Sequence, residues 1–224
     1  MAFDHFPPET FEFLRTIRAN NNRDWFEAHR ADYTAFYVAP AQDFVETLGP
    51  RLRKVSPTVQ FEPRVNASLV RIGRDIRFAK DKSPYKDHID IWFWHGENRG
   101  WDCPGFFFRL SPEEVFIGAG QHMMDAPRLA HLRAAIAADK RGRALATLIA
   151  KLEKAGCEDG DKTLARVPRG FDPDHPRAEL LKYTGLHAGM KLPASAAGKP
   201  GFAALCLKHF RTVWPVGKWL LENT

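Results

Sequence analysis

Residues 105–118 read GFFFRLSPEEVFIG and decide the fold, because they contain two short strand patterns joined by a turn. Gly105–Leu110 and Val115–Gly118 are rich in β-branched or aromatic residues, which favour a pleated, half-buried surface. Ser111-Pro112 between them is typical of a turn. The stretch therefore predicts a β-hairpin and, with it, a largely antiparallel sheet.

The first strand of this hairpin carries three consecutive phenylalanines, Phe106, Phe107 and Phe108. Successive side chains of a strand point to opposite faces, so the run faces both sides of the sheet. Aromatic residues beside an arginine can stack nucleic-acid bases, but the signature of RNA-recognition sheets is absent. We expect these rings to fill the core.

Strand and helix patterns follow each other in blocks on either side of the hairpin. Val59–Phe61, Ala67–Ile72 and Ile89–Trp94 are further strand candidates, whereas the flanking segments have helical periodicity. Helices, then a sheet, then helices predict an α+β protein whose antiparallel sheet is covered by N-terminal and C-terminal helices. We expect one domain over residues 1–224, helical over 1–56, sheet-rich over 57–121 and helical over 122–224.

Capping and turn residues predict the bounds of the N-terminal helices. Pro7-Pro8 can open the first helix, and Asn22 can cap a second one. Pro40 restarts the helical pattern, and Gly49-Pro50 is expected to end it.

The helices after the sheet are predicted in the same way. Asp125 is expected to cap the first of them, and Arg143–Lys154 and Arg177–Lys182 are expected to be helical. Residues 193–201 are expected to form a loop, followed by two closing helices at about residues 202–211 and 215–223.

The composition bounds the class of protein. Of 224 residues, 33 are Lys or Arg and 27 are Asp or Glu, so the net charge is +6. That excess permits an anionic partner without requiring one. Cys103, Cys157 and Cys206 are too few and too widely spaced for a disulfide framework or a metal knuckle. With no secretory pattern and no apolar run of about 18 residues, we expect a cytoplasmic protein without membrane contact.

Most of the basic excess lies in one segment, residues 71–86, which reads RIGRDIRFAKDKSPYK. Its six basic and two acidic residues give it a charge of 6 − 2 = +4. Gly73 disfavours helix, and Ser83-Pro84 favours an extended or turn conformation. The pattern predicts a long loop over residues 73–86, with Arg71 at a strand end and the next strand beginning near His88.

Three interpretations of this segment stay open. The first is a site for a phosphate- or carboxylate-bearing small molecule, in an enzyme or a binding protein, because guanidinium groups bind two oxygens at once. Its anion-binding residues would be Arg71, Arg74, Arg77, Lys80, Lys82, Tyr85 and Lys86. The second is a surface for nucleic acid or another polyanion. The third is a structural lattice of salt bridges, for instance to Asp24, Glu27 or Asp32.

Groups that could handle protons are sparse around this segment. Asp75 and Asp81 lie within it, and they could either orient the cations or act as bases. A second, proline-rich loop around residues 168–176 carries Arg169 and His175, and these two residues could complete the pocket. It could equally be a rigid turn. No cofactor is predicted, and the oligomeric state stays open.

His88 and Asp90 are metal candidates, and Asp81 could also act as a metal ligand. The spacing of His88 and Asp90 places an imidazole and a carboxylate on one face of a strand, which is half of a metal site at most. No third ligand is visible in the sequence. We therefore expect a solvated polar face on an edge strand and predict no metal.

Five blocks resemble a known family, nearly end to end and in the same order. They are FLRTIRANNNRDWFEAHRADY (13–33), RIGRDIRFAKDKSPYKDHI (71–89), PGFFFRLSPEEVFIGAG (104–120), RVPRGFDPDHPRAELLK (166–182) and FRTVWPVGKWLLEN (210–223). Together they resemble domain of unknown function 2461, and the second block is the most specific. The resemblance implies a single-domain bacterial-type protein and no particular chemistry.

Overall fold

The computed structural model describes residues 3–97, 103–160 and 164–224. The chain divides into two compact units, each built from several stretches of sequence. The first unit comprises Met1–Phe93, Phe107–Ile117 and Lys191–Lys208, and the second comprises Trp94–Phe106, Gly118–Met190 and His209–Thr224. Whether the chain folds as a single domain stays a prediction.

The N-terminal helices of the first unit begin where the capping residues predict. Helix α1 spans Pro8–Ala19, and helix α2 spans Arg23–Ala28. The side chain of Asn22 accepts a hydrogen bond from the Trp25 amide at 2.9 Å, which confirms the predicted cap.

The next helical segments are nearly continuous. A short helix α3 (Arg30–Asp32) leads into a π-helical turn at Tyr33–Val38 and then into helix α4 (Ala39–Arg53). The predicted end at Gly49-Pro50 is wrong, because both residues lie inside α4. A Cβ on Gly49 would lie 2.4 Å from the ring of Phe61, so this glycine permits a close contact rather than ending the helix.

Within the described residues, five strands form an antiparallel sheet, as predicted. They are β1 (Ile89–Phe93), β2 (Gly105–Leu110), β3 (Glu114–Gln121), β4 (Glu158–Asp159) and β5 (Leu186–Pro193), in the order β1-β2-β3-β5-β4. The predicted hairpin is β2–β3, whose turn is closed by the Ser111 amide donating to the Glu114 carbonyl at 2.9 Å. The α+β class is therefore confirmed.

Two predicted strands are not strands. Val59–Phe61 has one bridge residue, and Ala67–Ile72 pairs with β1 only through an isolated bridge between Leu69 and Ile91. The latter segment still runs beside β1, since Val70 donates to the Asp90 carbonyl at 3.0 Å. Strands β4 and β5, conversely, are elements that the sequence analysis did not predict.

The core of the first unit is aromatic. The ring of Phe108 stacks on that of Phe6 at 5.9 Å and lies 4.5 Å from that of Phe44. All three side chains are fully buried. In the second unit Phe106, also fully buried, stacks on Trp214 at 4.2 Å. The predicted core role of the phenylalanine run is thus confirmed for Phe106 and Phe108.

Helices α5 (Ala126–Ala137), α6 (Asp139–Lys154) and α7 (Ala178–Leu181) belong to the second unit. Asp125 caps α5 by accepting from the Arg128 amide at 2.9 Å, as predicted.

The C-terminal prediction fails in two places. Part of the expected loop is a 3₁₀ helix, Ala194–Gly198, and the two expected closing helices are one helix, α8 (Phe202–Asn223). Pro215 lies inside α8, although a proline there costs roughly 3 kcal/mol. Buried apolar side chains before and after it, Trp214 and Val216 among them, offset that cost. Among the described residues, no helix is both long and apolar enough to cross a membrane.

Candidate functional site

The basic segment 71–86 is a loop whose two ends are held together by backbone hydrogen bonds. Arg74 donates to the Pro84 carbonyl at 2.9 Å, and Lys86 donates to the Ile72 carbonyl at 2.8 Å. An isolated bridge joins Gly73 to Tyr85. We call residues 71–86 the basic loop. Its closed ends restrict how far the residues between them can spread.

Asn21, just beyond α1, anchors the loop from outside. Its side-chain amide donates to the Tyr85 carbonyl at 2.9 Å and accepts from the Tyr85 amide at 3.0 Å. The ring of Tyr85 stacks on that of Phe26 at 4.2 Å. Tyr85, a predicted anion-binding residue, therefore uses one ring face and both backbone groups to hold the loop.

Two loop arginines are paired with acids of the same loop. The guanidinium of Arg74 forms an ion pair with Asp81, and that of Arg77 with Asp75 at 2.7 Å. Hydrogen bonds from Ser83 and then from Arg74 lower the pKa of Asp81, while those from Arg77 lower the pKa of Asp75. Both carboxyl groups are thus held in the ionised form, and both orient an arginine.

Three other loop cations form no ion pair with a carboxylate among residues 3–97, 103–160 and 164–224. They are Arg71, Lys80 and Lys82, all exposed. The charge of Arg71 also helps to lower the pKa of Asp75. Lys82 donates to the Ile76 carbonyl at 3.0 Å, which leaves its charge uncompensated. Phe78 lies among them and is 94% exposed. The loop therefore presents net positive charge around the solvent-exposed ring of Phe78.

A buried carboxylate, Asp90 on β1, lies where the basic loop joins the sheet. Arg109 on β2 donates to both of its oxygens, through Nε at 2.6 Å and Nη2 at 3.1 Å. Nε2 of His88 lies 3.3 Å away and Nζ of Lys86 lies 3.4 Å away. We call Lys86, His88, Asp90 and Arg109 the Asp90 cluster.

The predicted solvated face is wrong for Asp90, because its side chain is only 8% exposed. Burial alone would raise the pKa of Asp90, but hydrogen bonds and charge from His88 and Arg109 lower it well below its usual value. The sequence analysis did not single out Arg109. The sequence does place Arg109 on a predicted strand of the same antiparallel sheet as Asp90. It does not show the register between the two strands, so the pairing of Arg109 with Asp90 could not be predicted.

His88 also contacts a second acid. Its Nδ1 lies 3.0 Å from Oδ1 of Asp87, and Asp87 in turn accepts from Nε of Arg18 at 2.6 Å. The imidazole is thus bracketed by carboxylates on both ring nitrogens. Among the described residues no group of three or more His, Cys, Asp or Glu side chains could hold a metal ion. His88 and Asp90 do lie together, but as members of an ion-pair network.

Arg169 and His175, the other predicted site residues, belong to the second unit. Arg169 is exposed, and the half-buried His175 accepts a hydrogen bond at Nδ1 from the Arg177 amide at 3.0 Å. Arg177 itself is buried and donates to the carbonyl of Ile136 at 2.7 Å. These contacts give His175 a role in the turn before α7.

Fold and site together define an α+β protein that presents a basic loop beside a buried carboxylate contacted by two cations and a histidine. The chain belongs to the family described as conserved hypothetical protein (DUF2461), whose model matches residues 9–219 of 224. The resemblance inferred from the five sequence blocks is thereby confirmed. A comparison with curated proteins gives no match.

Proposed function

We propose that the basic loop binds a phosphate- or carboxylate-bearing ligand, with Arg71, Lys80 and Lys82 as the cations that contact it. The observation that carries the proposal is the division of the loop's charges. Arg74 and Arg77 are already paired with Asp81 and Asp75, whereas those three cations form no ion pair with a carboxylate in the described structure. An anionic ligand would supply the missing charge without breaking an existing ion pair.

The anchoring of the loop supports this role. Hydrogen bonds from Asn21 and stacking on Phe26 hold Tyr85 in place, and the paired ends hold Gly73 near it. A loop restrained in this way loses less conformational entropy when it binds a ligand than an unrestrained one does. Lys86 is turned toward Asp90 and stabilises the base of the loop rather than contacting ligand.

A specific observation favours a second candidate, an extended polyanion such as single-stranded nucleic acid. Phe78 is 94% exposed, and the guanidinium of Arg77 lies 5.9 Å from its ring centre. Surfaces that bind single strands combine cations for the backbone with aromatic rings on which bases stack. A small-ligand site is usually concave instead.

A single experiment tests the loop and separates the two ligand classes. Pyrophosphate, a dicarboxylate and a single-stranded oligonucleotide are titrated at constant ionic strength into the wild type and into Arg71→Ala/Lys80→Ala/Lys82→Ala. A small anion at 100 times its dissociation constant stabilises the fold by about 2.7 kcal/mol, a rise in melting temperature of roughly 5–10 °C. The variant should lose that rise.

An oligonucleotide gives a different signature. Its affinity should fall with salt, and the triple variant should lessen the log–log slope by about 2, at roughly 0.7 for each contact removed. The matched control is Lys151→Ala/Lys154→Ala/Arg211→Ala, which removes the same charge from exposed positions of the second unit. Equal binding by the two triple variants, or no binding of any probe to the wild type, would contradict the proposal.

A further inference from the structure

A cavity of about 320 Å³ lies in the first unit, between helix α1 and the segment from Trp25 to Phe36. Its lining residues are Glu9, Glu12, Phe13, Thr16, Trp25, His29, Asp32 and Phe36. None of them belongs to the basic loop or to the Asp90 cluster. The volume is at the lower end of the range for small-molecule sites.

The charge of this cavity is opposite to that of the chain. Glu9, Glu12 and Asp32 line it, and none of the three forms an ion pair within the described parts of the chain. The neighbouring Arg30 does not compensate them, because its guanidinium pairs with Glu27, with Nη2 2.9 Å from Oε1. A protein with a net charge of +6 thus keeps three uncompensated carboxylates around one cavity.

The rest of the lining is largely aromatic. Phe13, Trp25 and Phe36 contribute rings, and the Phe13 and Trp25 centroids lie 6.0 Å apart. The imidazole of His29 stacks on Trp25 at 4.0 Å and is held by a contact of 2.7 Å between Nδ1 and the Trp25 carbonyl. Aromatic rings attract a cation through their negative faces, and a desolvated cation gains most.

The lining carboxylates are not positioned as the ligands of a metal ion. No group of three or more His, Cys, Asp or Glu side chains among the described residues could hold a metal. The negative charge is therefore spread around the cavity instead of converging on one point. That distribution suits a cation whose charge lies on an apolar body.

We propose that this cavity binds a small organic ammonium ion, with the aromatic rings contacting its apolar body and the three carboxylates supplying the counter-charge. Glu9, Glu12 and Asp32 would attract the cation, and Trp25 and Phe36 would contact its methyl or methylene groups. The proposal is independent of the basic loop, which would bind ligands of the opposite charge.

Calorimetry with choline tests the proposal, and 3,3-dimethylbutan-1-ol, which has the same shape without the charge, is the control ligand. Choline should bind saturably and the alcohol should not. Glu9→Gln/Glu12→Gln/Asp32→Asn should weaken choline binding about tenfold, since each screened charge interaction is worth a factor of roughly two to five. Trp25→Leu, which keeps the carboxylates, should also weaken it.

Control variants separate this site from a general charge effect and from the basic loop. Asp43→Asn/Glu46→Gln/Glu97→Gln removes three exposed carboxylates elsewhere and should leave choline binding unchanged. The triple variant of the basic loop should also bind choline as the wild type does. Absence of saturable binding to the wild type, equal binding of the uncharged alcohol, or equal loss in both acidic triple variants would overturn the proposal.

Discussion

Replacing Asp90 by asparagine removes the carboxylate around which Lys86, His88 and Arg109 are gathered. Removing one partner of a buried ion pair costs about 3–5 kcal/mol, because the other charge stays desolvated. Here the Asp90 side chain is 8% exposed, but that of Arg109 is 41% exposed and can recover hydration. We therefore expect a loss near the lower limit, about 3 kcal/mol, or a fall in melting temperature of roughly 6–12 °C.

Thermal and urea unfolding at pH 7, followed by circular dichroism, measure this loss. The control is Asp43→Asn at an exposed position, whose free energy of unfolding should lie within about 0.5 kcal/mol of the wild-type value. The pKa of Asp90 is lowered in the folded state, so its contribution is fully present above its unfolded pKa of about 3.9, declines below that value, and is lost as the pH falls through the lower folded-state pKa. The difference between wild type and Asp90→Asn should thus shrink between pH 7 and pH 3. A difference under about 1 kcal/mol at pH 7, or one that grows on acidification, would refute the reasoning.

Three further substitutions test other features. Gly120→Ala should lower the free energy of unfolding in urea by at least about 2 kcal/mol, which is more than Gly156→Ala should lower it. Both glycines have positive φ, but only at Gly120 would a Cβ meet a backbone oxygen, at 2.3 Å. Equal losses for the two variants would contradict this. Phe78→Ser should leave the melting temperature unchanged yet lower oligonucleotide affinity about 5- to 100-fold if a base stacks on the ring; unchanged affinity would exclude that stacking. Asn21→Ala should lower the free energy of unfolding by about 1–2 kcal/mol, since both backbone groups of Tyr85 lose their partner. No measurable loss in urea unfolding would show that the loop is anchored by other contacts.

Local signals predicted the parts of the fold that depend on neighbours in sequence. The caps at Asn22 and Asp125 were correct, because an N-cap needs only a side-chain oxygen and an amide three residues on. The predicted helix end at Gly49-Pro50 and the predicted helix break before Pro215 were wrong for the same reason. Burial against distant parts of the chain overrides propensity at those positions, and single-sequence patterns do not contain that information.

The sequence located the basic loop but not the pairing of its charges. Charge density singled out the basic loop, but which arginine pairs with which acid depends on the turn the backbone takes. The pairing of Asp90 with Arg109 depends on the register of two strands, which side-chain alternation leaves undetermined over so short a segment. The cavity beside α1 was not predicted, because its lining comes from four helical segments whose packing the periodicity does not specify.

The π-helical turn at Tyr33–Val38 is a point where the chain can absorb a change of one residue in its length. Ala39 donates to the carbonyl of Thr34, five residues back, and Thr10 donates its hydroxyl to the Phe36 carbonyl at 2.6 Å. A π turn holds about one residue more than an α turn, so deleting one residue lets the segment rewind as α-helix with the flanking helices close to their present orientation. Deleting the exposed Ala35 should therefore destabilise the first unit less than deleting the exposed Asp43 from the regular helix α4, where the lost residue would rotate the flanking parts by about 100°; an equal or larger loss for the Ala35 deletion would disprove it. A family alignment should accordingly contain one-residue gaps across this turn more often than within helix α4.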